Sequence, residues 1–246
     1  MQAKMIAGHE LTPGKTVKDH IHVEGTELHV PHVLLCGEQP GPTVLITAGI
    51  HNAEYVGIQA AIELSNELDV STLRGNVILV PLVNRSGFEN RTMSRVFEDG
   101  KNLNRVFPGD REGSEAERLA HMLFEVFIRN ADAYIDLHCG DGYETLIPYC
   151  YYLGDAPAEE TAKRMVECVN VKYVVRSHCR TGGAYNLASL HGVPSVLIER
   201  GQLRPGGHRD LRRDRGGQGR CAQHPAPARR TGWGLDPLSQ AGAAGV

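Results

Sequence analysis

The 246-residue sequence contains no run of about eighteen consecutive apolar residues, which argues against a membrane-spanning helix. It has no C-x-x-C pair, and its six cysteines (Cys36, Cys139, Cys150, Cys168, Cys179, Cys221) are scattered. That spacing speaks against a disulfide framework and against a cysteine zinc ribbon, and it fits reduced thiols in the cytoplasm. The start, M-Q-A-K-M-I-A-G-H, turns polar too early for a secretory signal. No repeat shows at a period of about twenty to fifty residues, so a solenoid is not expected. Nor does one charge dominate: 26 Lys and Arg face 29 Asp and Glu, net −3. The balance hides a split. Residues 202–246 carry eight arginines against three aspartates, net +5, which leaves −8 for residues 1–201. An acidic body of this kind is not expected to take nucleic acid as its main partner.

With 41% hydrophobic and 22% charged residues, the length fits one sizeable globular domain. Residues 23–36 alternate irregularly and read as an antiparallel hairpin, broken by E-Q-P-G-P at 38–42. T-V-L-I-T-A-G at 43–49 is the pattern of a strand buried on both faces. After His51 the period becomes helical, with Ile58, Ala61, Ile62 and Leu68 as its apolar positions. Residues 76–83 read as a second buried strand. The clearest helix starts at Ser114: Ser114 and Glu117 have capping-box spacing, and Leu119, Met122, Leu123, Val126 and Phe127 form one stripe. Strand periodicity returns at 133–138, followed by a helix over 158–169 and strands at 173–176 and 195–199. Strands alternating with helices predict an α/β domain with a largely parallel sheet.

From Gln202 onward the composition changes abruptly. These residues hold nine Gly, eight Arg, six Ala and four Pro, with no Ile, Phe, Tyr, Lys, Glu or Met. Such a segment buries too little apolar surface to offset its ordering entropy, so disorder is expected there. Residues 1–201 are accordingly read as the folded domain, whose chemistry the motifs below address, and 202–246 as a divergent tail. An arginine-rich nucleic-acid arm is one reading of the tail; an out-of-frame translation of GC-rich DNA is the reading preferred here.

Three metal-ligating residue types stand at the ends of expected strands. His51 and Glu54 are spaced H-x-x-E where a strand gives way to a helix, and His138 closes Y-I-D-L-H. Ligand sites in open α/β sheets gather at the carboxyl ends of strands. His₂Glu is a set used by catalytic zinc, with a coordination position left for water. H-x-x-E by itself says little, because an isolated histidine is more often structural. Glu199 closes the apolar strand S-V-L-I, where a carboxylate is costly unless solvated, paired or near a metal. It is a candidate to take a proton from water and pass it to a leaving amine; a surface pair with Arg200 is the plainer alternative. Residues 99–109 lack periodicity and read as a loop of the kind that holds substrate. In it Arg105 can grip a carboxylate through two parallel hydrogen bonds, with Asn104 adding an amide contact. Arg91 and Arg95 lie just upstream and can face an oxyanion, a contact worth about 3–4 kcal/mol by analogy with oxyanion-hole donors. A solvated surface charge is the plainer reading of each, and for Arg91 it is preferred.

G-I-H-N-A-E, N-L-N-R-V-F-P-G, D-L-H and V-L-I-E, in this order between residues 44 and 200, resemble the succinylglutamate desuccinylase/aspartoacylase family of the zinc carboxypeptidase clan. The resemblance implies a zinc-carboxypeptidase-like α/β fold with helices flanking the sheet. It implies one zinc ion per chain, held by His51, Glu54 and His138, with Glu199 as general base and acid. Arg105 with Asn104 would hold the substrate carboxylate, and Arg95 would stabilise the oxyanion. Asp136, on the same strand face as His138, is a candidate to support it. The implied reaction is hydrolysis of a small N-acyl amino acid to a carboxylate and an amine. Two departures stand out. Residues 185–191 (Y-N-L-A-S-L-H) lack the arginine that reads a second carboxylate in aspartoacylase, so N-acetylaspartate is not favoured. The divergent tail also replaces the ordered continuation of family members. Two alternatives remain: a carboxypeptidase acting on short peptides, and an inactive zinc-binding product with a frameshifted C-terminus.

Overall fold

The computed structural model describes residues 4–142 and 144–201; the expected tail, residues 202–246, lies outside the described residues. Among the described residues, ten strands and five α-helices follow one another. β1 (Met5–Ile6) and β2 (His9–Glu10) form a small antiparallel ribbon. The main sheet contains β3 (Thr16–His22), β4 (His29–Cys36), β5 (Gln39–Ala48), β6 (Arg74–Val80), β7 (Ala133–His138), β8 (Tyr149–Leu153), β9 (Tyr173–Ser177) and β10 (Ser195–Glu199). Its spatial order is β3-β4-β6-β5-β7-β10-β8-β9. The centre, β6-β5-β7-β10, is parallel throughout, and antiparallel pairs join it to β4 and β8. The sheet is thus mixed and mostly parallel.

Alternation along the central strands sends side chains to two apolar layers. Leu45, Ile78, Tyr134 and Leu197 face one, with Leu119 and Ala120 of α3 (Glu115–Met122) and Leu187 and Ala188 of α5 (Ala184–Leu190). Val44, Ile46, Leu79, Ile135, Leu137 and Val196 face the other. That layer is closed by Ile58, Ala61 and Leu64 of α1 (Tyr55–Glu67) and by Ala162 and Val166 of α4 (Glu159–Glu167). The fifth helix, α2 (Arg85–Asn90), follows β6.

β7 and β10 fall where their patterns put them, and Glu117 accepts the Ser114 N–H at 2.8 Å, starting α3 as its capping-box spacing predicts. The apolar stripe continues beyond α3 through a wider π-helical turn, Leu123–Phe127. Three expectations need correction. The hairpin is displaced towards the N-terminus: β3 is one arm and residues 23–28 form the turn, because β3 is mostly exposed and its polar residues hide the strand. Residues 39–42 do not break the chain but open β5. Their prolines sit in the exposed start of that strand, where a missing donor is tolerated. Gly41 is required there, since a Cβ on it would stand 2.7 Å from the Gly75 nitrogen. In α1 the buried positions are Gly57, Ile58, Ala60, Ala61 and Leu64, while Ile62 is exposed.

Candidate metal centre

The parallel strands β5, β7 and β10 present their carboxyl ends side by side, and Glu199 at the end of β10 is in register with His138 at the end of β7. After β5 the chain turns at Gly49, whose φ of +68° suits glycine. A Cβ there would also press on Leu82 Cδ1 at 2.9 Å. The turn delivers His51 to the strand ends and puts Glu54 at the residue preceding α1, its side chain left free of any capping bond to that helix. A buried amide brace holds this turn: Asn84 Nδ2 donates to Asn52 Oδ1 at 3.0 Å and to the Arg95 carbonyl at 2.9 Å.

His51, Glu54 and His138 each offer a ligand atom, all within 4.8 Å of one another. His51 Nδ1 lies 2.8 Å from Glu54 Oε1, and His138 Nδ1 lies 2.9 Å from Glu54 Oε2. The Cys139 N–H donates to the same Glu54 Oε2 at 3.0 Å. His51 Nε2 is 3.2 Å from Asn102 Oδ1. Behind His138, Asp136 is wholly buried: its Oδ2 is 3.0 Å from His138 Nε2, and its Oδ1 accepts from Thr47 Oγ1 at 2.7 Å. Thr47 Oγ1 is in turn 2.7 Å from Tyr134 Oη.

The three side chains are electrostatically coupled to one another. Burial alone would raise the Glu54 carboxyl, but His138 and His51 beside it bring it down to about 2. Burial would lower the His138 ring, yet Glu54 and Asp136 drive it well above the usual histidine range. Two imidazoles and a carboxylate converging on one point, with a buried carboxylate fixing one ring from behind, is a donor set that fits a zinc-sized dication. Glu199 differs. Burial, reinforced by Glu54, Asp136 and Glu144 and only partly opposed by His138, pushes its carboxyl up to about 7. A carboxyl in that range can both take and give a proton near neutral pH.

A cavity of about 280 Å³ opens over the centre, lined by His51, Glu54, Asn102, Tyr149 and Glu199 among others. Ligand pockets usually run from roughly 300 to 1,000 Å³, so this one suits a small molecule. Among the other residues singled out from sequence, Asn104 is buried and its Oδ1 accepts the Ala184 N–H at 2.9 Å. Arg105, on the short 3₁₀ turn Leu103–Arg105, is exposed and donates to the Asn104 carbonyl at 2.8 Å. Arg95 is exposed and turned outward, donating to the Gly100 carbonyl at 2.7 Å, and Arg91 caps the end of α2 at the surface. None of Arg91, Arg95, Asn104 and Arg105 lines the cavity. Sequence reasoning did not single out Asn102, Asp141, Glu144 or Tyr149, which do. They lie in loops or at a strand start, where no periodicity marks them.

Comparison with known proteins agrees with this geometry. The chain is 36% identical over 138 residues to N-alpha-acetyl-L-2,4-diaminobutyric acid deacetylase from Halomonas elongata, a match covering 55% of this chain and 40% of that protein. A solved succinylglutamate desuccinylase/aspartoacylase from Rhodobacter sphaeroides superposes with a TM-score of 0.64 at 28% identity, covering 71% of this chain and 52% of the other. A solved aspartoacylase family protein from Mesorhizobium loti gives 0.70 at 26% identity, covering 82% and 66%. The chain therefore spans well under half of the curated relative and just over half to two thirds of these two structures. The family's sequence profile matches residues 40–225, running on past Gly201. On that match the chain belongs to the succinylglutamate desuccinylase/aspartoacylase catalytic domain family.

Proposed function

We propose that the protein is a zinc-dependent hydrolase that cleaves the amide bond of a small N-acyl amino acid. The observation that carries this reading is the convergence of His51, Glu54 and His138 within 4.8 Å beside Glu199. Those three residues would hold one zinc ion, which when bound supplies Lewis acidity to the scissile carbonyl and to water. Glu199 removes a proton from the attacking water and returns it to the departing nitrogen, so that amide and water become carboxylate and amine. Asp136 keeps the His138 ring in one orientation. A role for Arg105, with Asn104, in holding the substrate's free carboxylate requires the Arg105 guanidinium to leave the Asn104 carbonyl and reach the cavity from the turn that begins beside Asn102. An oxyanion role for Arg95 requires its guanidinium to leave the Gly100 carbonyl.

The described cysteines are all free thiols, which supports a cytoplasmic setting; no helix among the described residues is long and apolar enough to cross a membrane. The test of the assignment is Glu199→Gln in the full chain loaded with zinc. It is expected to keep its metal and lose turnover of an N-acyl amino acid by about 10²–10⁴-fold, the usual weight of a general base. Undiminished turnover would remove Glu199 from the mechanism.

A further inference from the structure

A line of polar atoms runs through the sheet behind His138. Thr47 of β5 is in register with Asp136 of β7, and Tyr134 stands two residues before Asp136 on the same face. All three are fully buried, and Tyr134 packs in the apolar layer that holds Leu45 and Leu197. A buried hydroxyl is costly unless bonded, and valine and phenylalanine would fill these two places without one. The hydrogen count gives the line a direction. An ionised carboxylate only accepts, and a hydroxyl has one hydrogen to give. Thr47 Oγ1 donates its hydrogen to Asp136 Oδ1 at 2.7 Å, so across the 2.7 Å contact between the two hydroxyls Tyr134 Oη is the donor. Burial, and next the Asp136 charge, hold the Tyr134 phenol well above the usual tyrosine range, so it keeps that hydrogen. Asp136 Oδ2 stands 3.0 Å from His138 Nε2. It too can only accept, which puts a proton on Nε2.

The order of donors reaches the centre. With Nε2 committed to Asp136, the ring turns Nδ1 toward Glu54 Oε2, 2.9 Å away, and Nδ1 is the atom left for an ion once it gives up its own proton. Without the Thr47 hydroxyl, Asp136 loses one of the bonds that fix the plane of its carboxylate. Without the Tyr134 donor, the Thr47 hydroxyl is free to turn its hydrogen elsewhere. We propose, resting on the zinc reading above, that Tyr134 and Thr47 are positioning residues of the metal centre. Their one-way chain of hydrogen bonds through Asp136 keeps a proton on His138 Nε2 and leaves Nδ1 for the ion. Neither residue touches ion or substrate; both act through Asp136.

The test is a set of zinc dissociation constants for the full chain, read by competition with a chelator. Thr47→Val keeps the shape and removes the hydroxyl. It is expected to weaken zinc binding by roughly three- to tenfold, less than the about 10–100-fold of a group bonded to the ligand itself. Thr47→Ser returns the hydroxyl and should recover most of the loss, and Tyr134→Phe should cost less than Thr47→Val. Both Thr47→Val and Tyr134→Phe are then repeated in the Asp136→Asn background, where the side chain can no longer accept on both sides. There each should weaken zinc binding little further, whereas a general loosening of the core would add its cost in either background. An unchanged constant in Thr47→Val, no recovery with serine, or full additivity with Asp136→Asn would each overturn the proposal. A second readout needs no metal. In the metal-free chain the His138 Nε2 proton, followed by ¹⁵N-edited NMR, should exchange with water faster in Thr47→Val and Tyr134→Phe than in wild type. A wild type that binds no zinc while this proton still responds to both substitutions would sink the zinc reading and keep the hydrogen-bond chain. Zinc held equally well by wild type and Thr47→Val would do the reverse.

Discussion

Asp136→Asn isolates a part of the proposed metal centre that would touch neither metal nor substrate. Asp136 is wholly buried, with one oxygen 3.0 Å from His138 Nε2 and the other accepting from Thr47 at 2.7 Å. Asparagine keeps the shape and an acceptor but removes the charge that makes His138 Nδ1 a strong donor of its electron pair. Carboxylates in this position behind a metal-bound histidine are worth about 10–100-fold in metal affinity, or about 1.4–2.7 kcal/mol. The same charge also raises the proton affinity of the ring. Proton and metal compete for His138, so the variant's ring is less protonated than the wild-type ring at a given pH. The affinity deficit should therefore be largest at high pH, where protons no longer compete, and narrow as pH falls. Zinc dissociation constants from competition with a chromogenic chelator, measured over a pH series, read both effects. Unchanged affinity at every pH in a variant with wild-type thermal stability would refute the argument that Asp136 tunes the centre.

Two further outcomes are expected. The Glu199 carboxyl is raised from 4.5 to about 7, so the folded chain holds that proton up to about pH 7 while the unfolded chain releases it near 4.5. The contribution to stability is present below the lower value and is lost as pH climbs through the higher one. Metal-free wild type should lose up to about 3 kcal/mol relative to Glu199→Gln across that window, at about 1.36 kcal/mol per pKa unit, and less where solvent screens the group. Parallel denaturant curves for the two proteins at all pH values would contradict it. The proposed boundary at residue 201 predicts that brief trypsin digestion cuts first among the eight arginines of 202–246 and leaves a stable fragment ending near Gly201. Mass spectrometry showing equally early cleavage inside 4–201 would remove that boundary.

How much was legible in the sequence follows from how each element meets water. β7 and β10 are buried along nearly their whole length, so their apolar runs mark them clearly. α3 pairs an apolar stripe with a polar face and a capping carboxylate, which gives it a period and a start. β3 is an exposed edge strand rich in histidine and charge, and α5 is buried on almost every side, so neither carries an amphipathic period. β8 went unrecognised as well. The H-x-x-E turn and the D-L-H strand end singled out His51, Glu54 and His138, which the fold brings together because those residues are fixed to regular elements. The loop residues were harder. Residue type singled out Arg95, but the direction of its side chain is set by a hydrogen bond to Gly100 that no sequence pattern announces. Asp141, Glu144 and Tyr149 join the cavity only through the path of the chain between β7 and β8.

The zinc content of the purified full chain, measured by elemental analysis beside His51→Ala and His138→Ala, tests the centre most directly. One zinc per folded wild-type chain and well under that in both variants is the expected result. Wild-type protein that takes up no zinc, or variants that keep a full equivalent, would contradict the assignment of these side chains to a shared ion.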